Sequence, residues 1–128
     1  MNALEALQYR TSSPRLMDPE PTSDQLDHLF RAAVRAADHG LLRPWRFLTI
    51  RGQARSRLGD LLVAAARQEN PEISAAQVDK LAAKPLRAPL IVVTVASPKP
   101  HPKVPESEQT LSAAAATQNM INAAFALD

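Results

Sequence analysis

Apolar residues recur along this chain with two periods, and the places where the period changes divide it into short helices and two strands. At the start, Asn2 and Glu5 stand at the spacing of a capping box, predicting a helix from about Asn2 to Tyr9 in which Leu4 and Leu7 share a face. Pro14 stops any continuation, and a proline-rich turn, Asp18-Pro19-Glu20-Pro21, follows. Thr22-Ser23-Asp24-Gln25 repeats the capping pattern, and Leu26, Leu29, Phe30, Ala33, Val34 and Ala37 keep helical spacing as far as a glycine stop at Gly40. That predicts one helix from Thr22 to Gly40. The run Trp45 to Ile50, bounded by Pro44 and Gly52, has the length and the aromatic and β-branched content of a strand.

A helical pattern returns from Gln53 to about Gln68, with Leu58, Leu61, Leu62 and Ala65 inward and Gly59 weakening it slightly. Asn70-Pro71 breaks it, and Ser74-Ala75-Ala76-Gln77 opens a short helix through Val78 and Leu81 that closes near Lys84-Pro85. Leu90 to Ala96 is almost continuously apolar, which predicts a central strand covered on both faces. Prolines alternate with polar residues from Ser97 to Pro105, predicting an extended, exposed loop, with Pro105 as the first residue of a last helix and Glu106 and Glu108 in its first turn. From Leu111 to Leu127 that helix is rich in alanine, so another helix can approach it closely, as in a central or interface position. It reaches Asp128 without a glycine, a basic final turn or a proline, and two strands leave a sheet with unpaired edges; more chain or a partner is expected.

Composition narrows the function classes. At 128 residues, 45% hydrophobic and 22% charged, the chain is expected to form a single domain. Cysteine is absent, which removes disulfides, thiolate metal sites and cysteine nucleophiles, so any redox chemistry must come from a bound cofactor. No apolar stretch reaches the roughly 18 residues of a membrane span, and the N-terminus lacks a signal-peptide pattern, so a cytoplasmic location and no membrane partner are expected. Fifteen basic against thirteen acidic residues give a formal charge of +2, and the basic ones are scattered from Arg10 to Lys103, which argues against a nucleic-acid partner.

With three glycines, at 40, 52 and 59, there is no glycine-rich dinucleotide or phosphate loop. Arg10, Ser12 and Arg15 have the residue types to hold a phosphate, although their spacing alone favours a solvated basic turn. Arg31, Arg35 and His39 fall four residues apart on the predicted helix, where the plain reading is a cationic stripe favoured by the helix dipole. His39 has no second histidine or carboxylate at ligand spacing other than Asp38, which points to a different helix face, so no metal site is expected. No nucleophile elbow is present, and nothing suggests hydrolysis.

Four segments in order carry a resemblance to a known family: the first helix running into Arg10-Thr11-Ser12-Ser13-Pro14-Arg15, the stretch Arg31 to His39, Arg43-Pro44-Trp45-Arg46-Phe47, and Lys103-Val104-Pro105-Glu106 with Gln109. Together with Arg87-Ala88-Pro89-Leu90-Ile91-Val92-Val93 they resemble the nitroreductase family over essentially the whole chain, especially its small bacterial members. That resemblance implies an α+β fold with an antiparallel-rich sheet wrapped by helices, a homodimer, and FMN in clefts shared between subunits. It implies hydride transfer from NAD(P)H through the flavin to a small-molecule acceptor such as a nitroaromatic or quinone, with no catalytic side chain of the protein's own. By the same resemblance Arg10, Thr11 and Ser12 meet the FMN phosphate and ribityl chain, and Arg35 and His39 reach the flavin across the dimer. Pro44 and Trp45 lie beside it, and Arg35 is the candidate to stabilise the N1–O2 edge of the reduced ring. Thr11 stands where many relatives have a second arginine, Ser107 where they often carry tryptophan, and a glycine-containing Trp-Arg segment and final strand are expected after residue 128. Two other readings stay open: a non-enzymatic helical interaction or nucleic-acid module, suggested by the sequence pI of about 9.4, and a flavin-binding relative without turnover.

Overall fold

The computed structural model describes residues 1–127. Its elements are α1 (Ala3–Tyr9), α2 (Ser23–Ala33), a 3-10 turn His39–Leu41, β1 (Trp45–Arg51), α3 (Gln53–Glu69), α4 (Ala75–Ala83), a 3-10 turn Lys84–Arg87, β2 (Leu90–Ala96) and α5 (Glu106–Leu127). The fold is α+β, with a two-stranded sheet pairing β1 with β2 among the described residues. Its antiparallel register is visible just beyond the strand ends, where the Ser97 amide donates to the Pro44 carbonyl at 2.8 Å.

Three helix starts are written locally. Asn2 with Glu5, Thr22 with Gln25 and Ser74 with Gln77 each form reciprocal capping boxes, satisfying amides that have no partner inside the helix. α5 starts one residue later than expected: Pro105 precedes it, and its carbonyl already accepts from the Gln109 amide at 3.2 Å.

The described chain forms two compact units, one from Met1–Ser12, Pro21–Leu48 and Thr94 onward, the other from Ser13–Glu20 and Thr49–Val93. In the first, α2 packs on α5, with Leu26, Leu29 and Ala33 buried on one helix and Ala113, Ala116 and Met120 on the other. Alanines at the contact let the axes approach. Asn119 Nδ2 donates to the Ala32 carbonyl at 3.2 Å, giving a partner to an acceptor near the end of α2. α1 also lies on α5, but it buries Ala6, while Leu4 and Leu7, the predicted apolar face, stay exposed. Phe30 and Phe47 stack at 5.7 Å between ring centroids.

In the second unit, α3 packs on α4 and on the Lys84–Arg87 turn. The inward face of α3 differs from the expected one: Gly59 and Val63 are buried, Leu58 and Leu62 are half-buried, and Leu61 and Ala65 are exposed. Gly59 is the reason. A Cβ there would lie 2.4 Å from the Ala82 carbonyl oxygen, so the helices meet at the one residue that has none and the buried stripe rotates to that side. β2 is only half-buried along Leu90 to Val95, and in a two-stranded sheet it is an edge instead of the expected covered centre.

Candidate functional site

The second helix ends well before Gly40. α2 stops at Ala33 with Val34 as its C-cap, and the chain tightens into i to i−3 bonds from the Arg35 and Ala36 amides to the Ala32 and Ala33 carbonyls. The predicted stripe of Arg31, Arg35 and His39 on one helix therefore does not exist. Arg31 stays on α2, paired with Asp27 at 2.6 Å, while Arg35 and His39 lie in the following loop.

Asp38 organises that loop. Its two carboxylate oxygens accept from the Leu42 amide at 3.1 Å and the Arg43 amide at 2.7 Å. Gly40 takes φ +76°, as glycine readily does, but Leu41 at 53° and Arg43 at 48° are also left-handed, a conformation that costs a side-chain-bearing residue about 1–2 kcal/mol. Charge-assisted bonds from Asp38 offset that strain. Lys99 adds a brace, its Nζ donating to the Leu42 carbonyl at 2.6 Å.

The loop and the start of β1 enclose a cleft of about 490 Å³ in the first unit, lined by Val34, Arg35, Ala36, Asp38, Leu41, Arg43 and Trp45. Its volume lies within the range of roughly 300–1,000 Å³ common for small-molecule sites. Two arginines and a half-buried tryptophan share that lining, and neither Arg35 nor Arg43 has an ion-pair partner among the described residues. Such a set suits a planar, electron-rich or anionic ligand: the ring faces the indole, and the cations meet negative charge.

The other expected site residues lie elsewhere. His39 is not in the cleft lining; its Nδ1 is 2.8 Å from Glu108 Oε1 in the first turn of α5. Arg10, Thr11 and Ser12 form a turn after α1, with Arg10 Nη1 donating to Ser12 Oγ at 2.8 Å. Of the five expected cofactor residues, the structure places Arg35 in this cleft and the other four outside its lining. In a continuous helix Asp38 would be no more than a neighbour of His39, so its role is hidden in the apolar periodicity. Its signal was a short acidic side chain just before His-Gly, the pattern of a side chain that bonds backbone ahead of it in a turn.

A model of the Nitroreductase family matches residues 7–128. This chain belongs to the nitroreductase family. It is 41% identical to an Escherichia coli (strain K12) protein named "Putative NAD(P)H nitroreductase YdjA", over 98% of this chain and 68% of that one. A Haemophilus influenzae protein named "Putative NAD(P)H nitroreductase" is 38% identical, with 98% of this chain and 68% of that one covered. The crystal structure of a nitroreductase-like family protein from Bacillus cereus superposes with a TM-score of 0.83 at 21% identity, over 99% of this chain and 66% of that one. The nitroreductase-like α+β fold is thus shared, and this chain spans about two thirds of the length of each relative. No helix among the described residues is long and apolar enough to cross a membrane.

The hold of Asp38 on this loop can be tested directly. Asp38→Ala removes both backbone bonds while leaving Leu41 and Arg43 strained, and we expect a loss of about 1–2 kcal/mol in chemical denaturation. Asp38→Asn, which keeps one acceptor, should lose less. Equal stability of Asp38→Ala and the parent would mean that the carboxylate does not hold this loop.

Proposed function

We propose that this chain forms one nitroreductase domain of an FMN-dependent oxidoreductase that passes hydride from NAD(P)H to a small electron-poor acceptor such as a nitroaromatic or quinone. The observation that carries the reading is the cleft in which Arg35 and Arg43 stand beside Trp45, in a chain of this family. The names of the Escherichia coli and Haemophilus influenzae relatives support the NAD(P)H part. The donor set fits the cofactor: a planar ring system can lie along Trp45, and two fixed cations suit a ring that gains negative charge and carries a phosphate tail.

When bound, FMN supplies the hydride chemistry. The residues of the chain orient and polarise. Arg35 brings a guanidinium to the cleft, which would lower the cost of negative charge on a bound ring. Val34, Leu41 and Trp45 supply the apolar part of the same lining. Arg10, Thr11 and Ser12 offer a guanidinium and two hydroxyls to a phosphate and ribityl chain, and His39, fixed by Glu108, borders the loop that carries Arg35. In this reading those groups converge across a homodimer, and exposed Leu111 and Ile121 on α5 with exposed Leu4 and Leu7 on α1 supply apolar surface for a second copy. A cytoplasmic location goes with this reading.

Titrating the purified chain with FMN tests it: flavin fluorescence should be quenched, and NADH or NADPH should bleach the bound flavin without oxygen. Absence of any FMN binding by the homodimer would refute the reading. Arg10→Ala should raise the FMN dissociation constant about tenfold with the fold intact, because a charge-assisted phosphate contact is lost from an exposed turn. An unchanged constant by equilibrium dialysis would remove Arg10 from the site.

A further inference from the structure

A second concentration of positive charge lies in the unit formed by Ser13–Glu20 and Thr49–Val93, and it shares no residue with the cleft at Arg35. Two cavities there, of about 350 Å³ and about 320 Å³, have Arg15, Lys84 and Arg87 in common. The larger is floored by Leu58, Leu62 and Ile91, and the smaller adds Lys80. No carboxylate lines either one, and none of the four cations takes part in an ion pair among the described residues.

Arg87 and the backbone around it anchor this cluster. Arg87 Nε donates to the Pro14 carbonyl at 2.7 Å and Nη2 donates to the same oxygen, while the Leu16 amide donates back to the Arg87 carbonyl at 2.8 Å. The segment carrying Arg15 is thereby pinned to the turn carrying Lys84 and Arg87, and Nη1 of Arg87 has no protein partner among the described hydrogen bonds. Arg55 Nη1 fastens the end of that turn by donating to the Ala88 carbonyl at 2.7 Å. Like charges held together without acidic neighbours repel one another, and an anion placed among them relieves that repulsion. A single carboxylate brings one negative charge, whereas a phosphate monoester brings close to two and offers three acceptor oxygens to forked and pointed donors. The apolar floor asks for a hydrophobic body on the same molecule. A nucleic acid would instead need cations in a stripe along its backbone.

We propose that this cleft binds a small phosphate monoester with an apolar, ring-sized body, the phosphate among Arg15, Lys84 and Arg87 and the body on Leu58, Leu62 and Ile91. The proposal does not rest on the flavin reading. 1-Naphthyl phosphate is a suitable probe, followed by its own fluorescence on the full chain, with 1-naphthol and inorganic phosphate as half-ligands. We expect the probe to bind at least about tenfold more tightly than either half, since charge and apolar burial contribute together. Lys84→Glu should weaken it by about tenfold or more, Lys80→Glu in the same direction, and Arg35→Glu and Lys103→Glu not at all. These four side chains are exposed, and unchanged circular dichroism would confirm that each variant folds. Inorganic phosphate binding as well as the probe, probe binding indifferent to both lysine reversals, or loss on Arg35→Glu with displacement by FMN would each overturn the proposal, the last by placing the probe in the other cleft.

Discussion

Replacing Gln109 with leucine should cost about 3 kcal/mol of stability, because it strands three backbone groups at once. The side chain is 2% exposed and works as a short piece of strand. Its Oε1 accepts from the Lys99 amide at 2.8 Å, and its Nε2 donates to the Lys99 carbonyl at 2.7 Å and to the Val104 carbonyl at 3.2 Å. Leucine matches the bulk but leaves one amide and two carbonyls without partners where water has little access, each worth about 1 kcal/mol or more. Gln109→Glu separates the two roles, since an acceptor for the Lys99 amide survives while both carbonyls face a group that no longer donates. It should be destabilised as well. The consequence extends to the cleft, because Lys99 braces the Leu42 carbonyl in the loop that carries Arg43. If FMN binds there, Gln109→Leu should weaken FMN binding along with stability. Urea denaturation decides the first point, and a loss below about 1 kcal/mol would show that the three bonds are replaced by water at no cost.

Gly59→Ala should destabilise by about 2–3 kcal/mol, although helix propensity by itself predicts a gain of about 1 kcal/mol. The sign is decided by the Ala82 carbonyl oxygen, 2.4 Å from where the new Cβ would sit, with the Ala82 carbonyl carbon and Cα at 3.2 Å. All three atoms are backbone, so α3 and α4 must separate. Two controls isolate this cause. Ala82→Gly should fail to rescue Gly59→Ala, because it removes a methyl group that is not in the clash. Ser56→Ala, on the exposed side of α3, should change stability by only a few tenths of a kcal/mol. A Gly59→Ala protein that melts at or above the parent temperature would mean that the helices part without penalty. Because Leu58 and Leu62 lie on α3 and Lys84 directly follows α4, naphthyl phosphate binding should weaken in the same variant, while the loop at Asp38 should be untouched.

Capping explains why most of the elements are legible in the sequence. The boxes at Asn2, Thr22 and Ser74 and the stops at Pro44 and Asn70-Pro71 act over three or four residues, and helix and strand boundaries there agree with expectation to within a residue or two. The error at the end of α2 has the opposite origin. Val34 and Ala37 continue the apolar period, yet Asp38, five residues from Arg43, draws the backbone into a turn whose partners are fixed only when the chain folds back. Periodicity cannot weigh a helical hydrogen bond against a carboxylate further along the chain. Likewise, nothing local pairs His39 with Glu108, 69 residues away.

By itself the sequence determined the order and kind of nearly every element, the absence of thiol chemistry, and membership of the nitroreductase family, because capping, strand patterning and residue content are local or additive properties. Tertiary structure alone decided which face of α3 is buried, since a missing Cβ matters only when a second backbone arrives at it. It also decided that Arg35 joins Arg43 and Trp45 in one cleft, and that Arg15 joins Lys84 and Arg87 in another. Charges far apart in the chain become a site only through the distances that folding sets, and Coulomb energy depends on distance and surroundings, not on position in sequence.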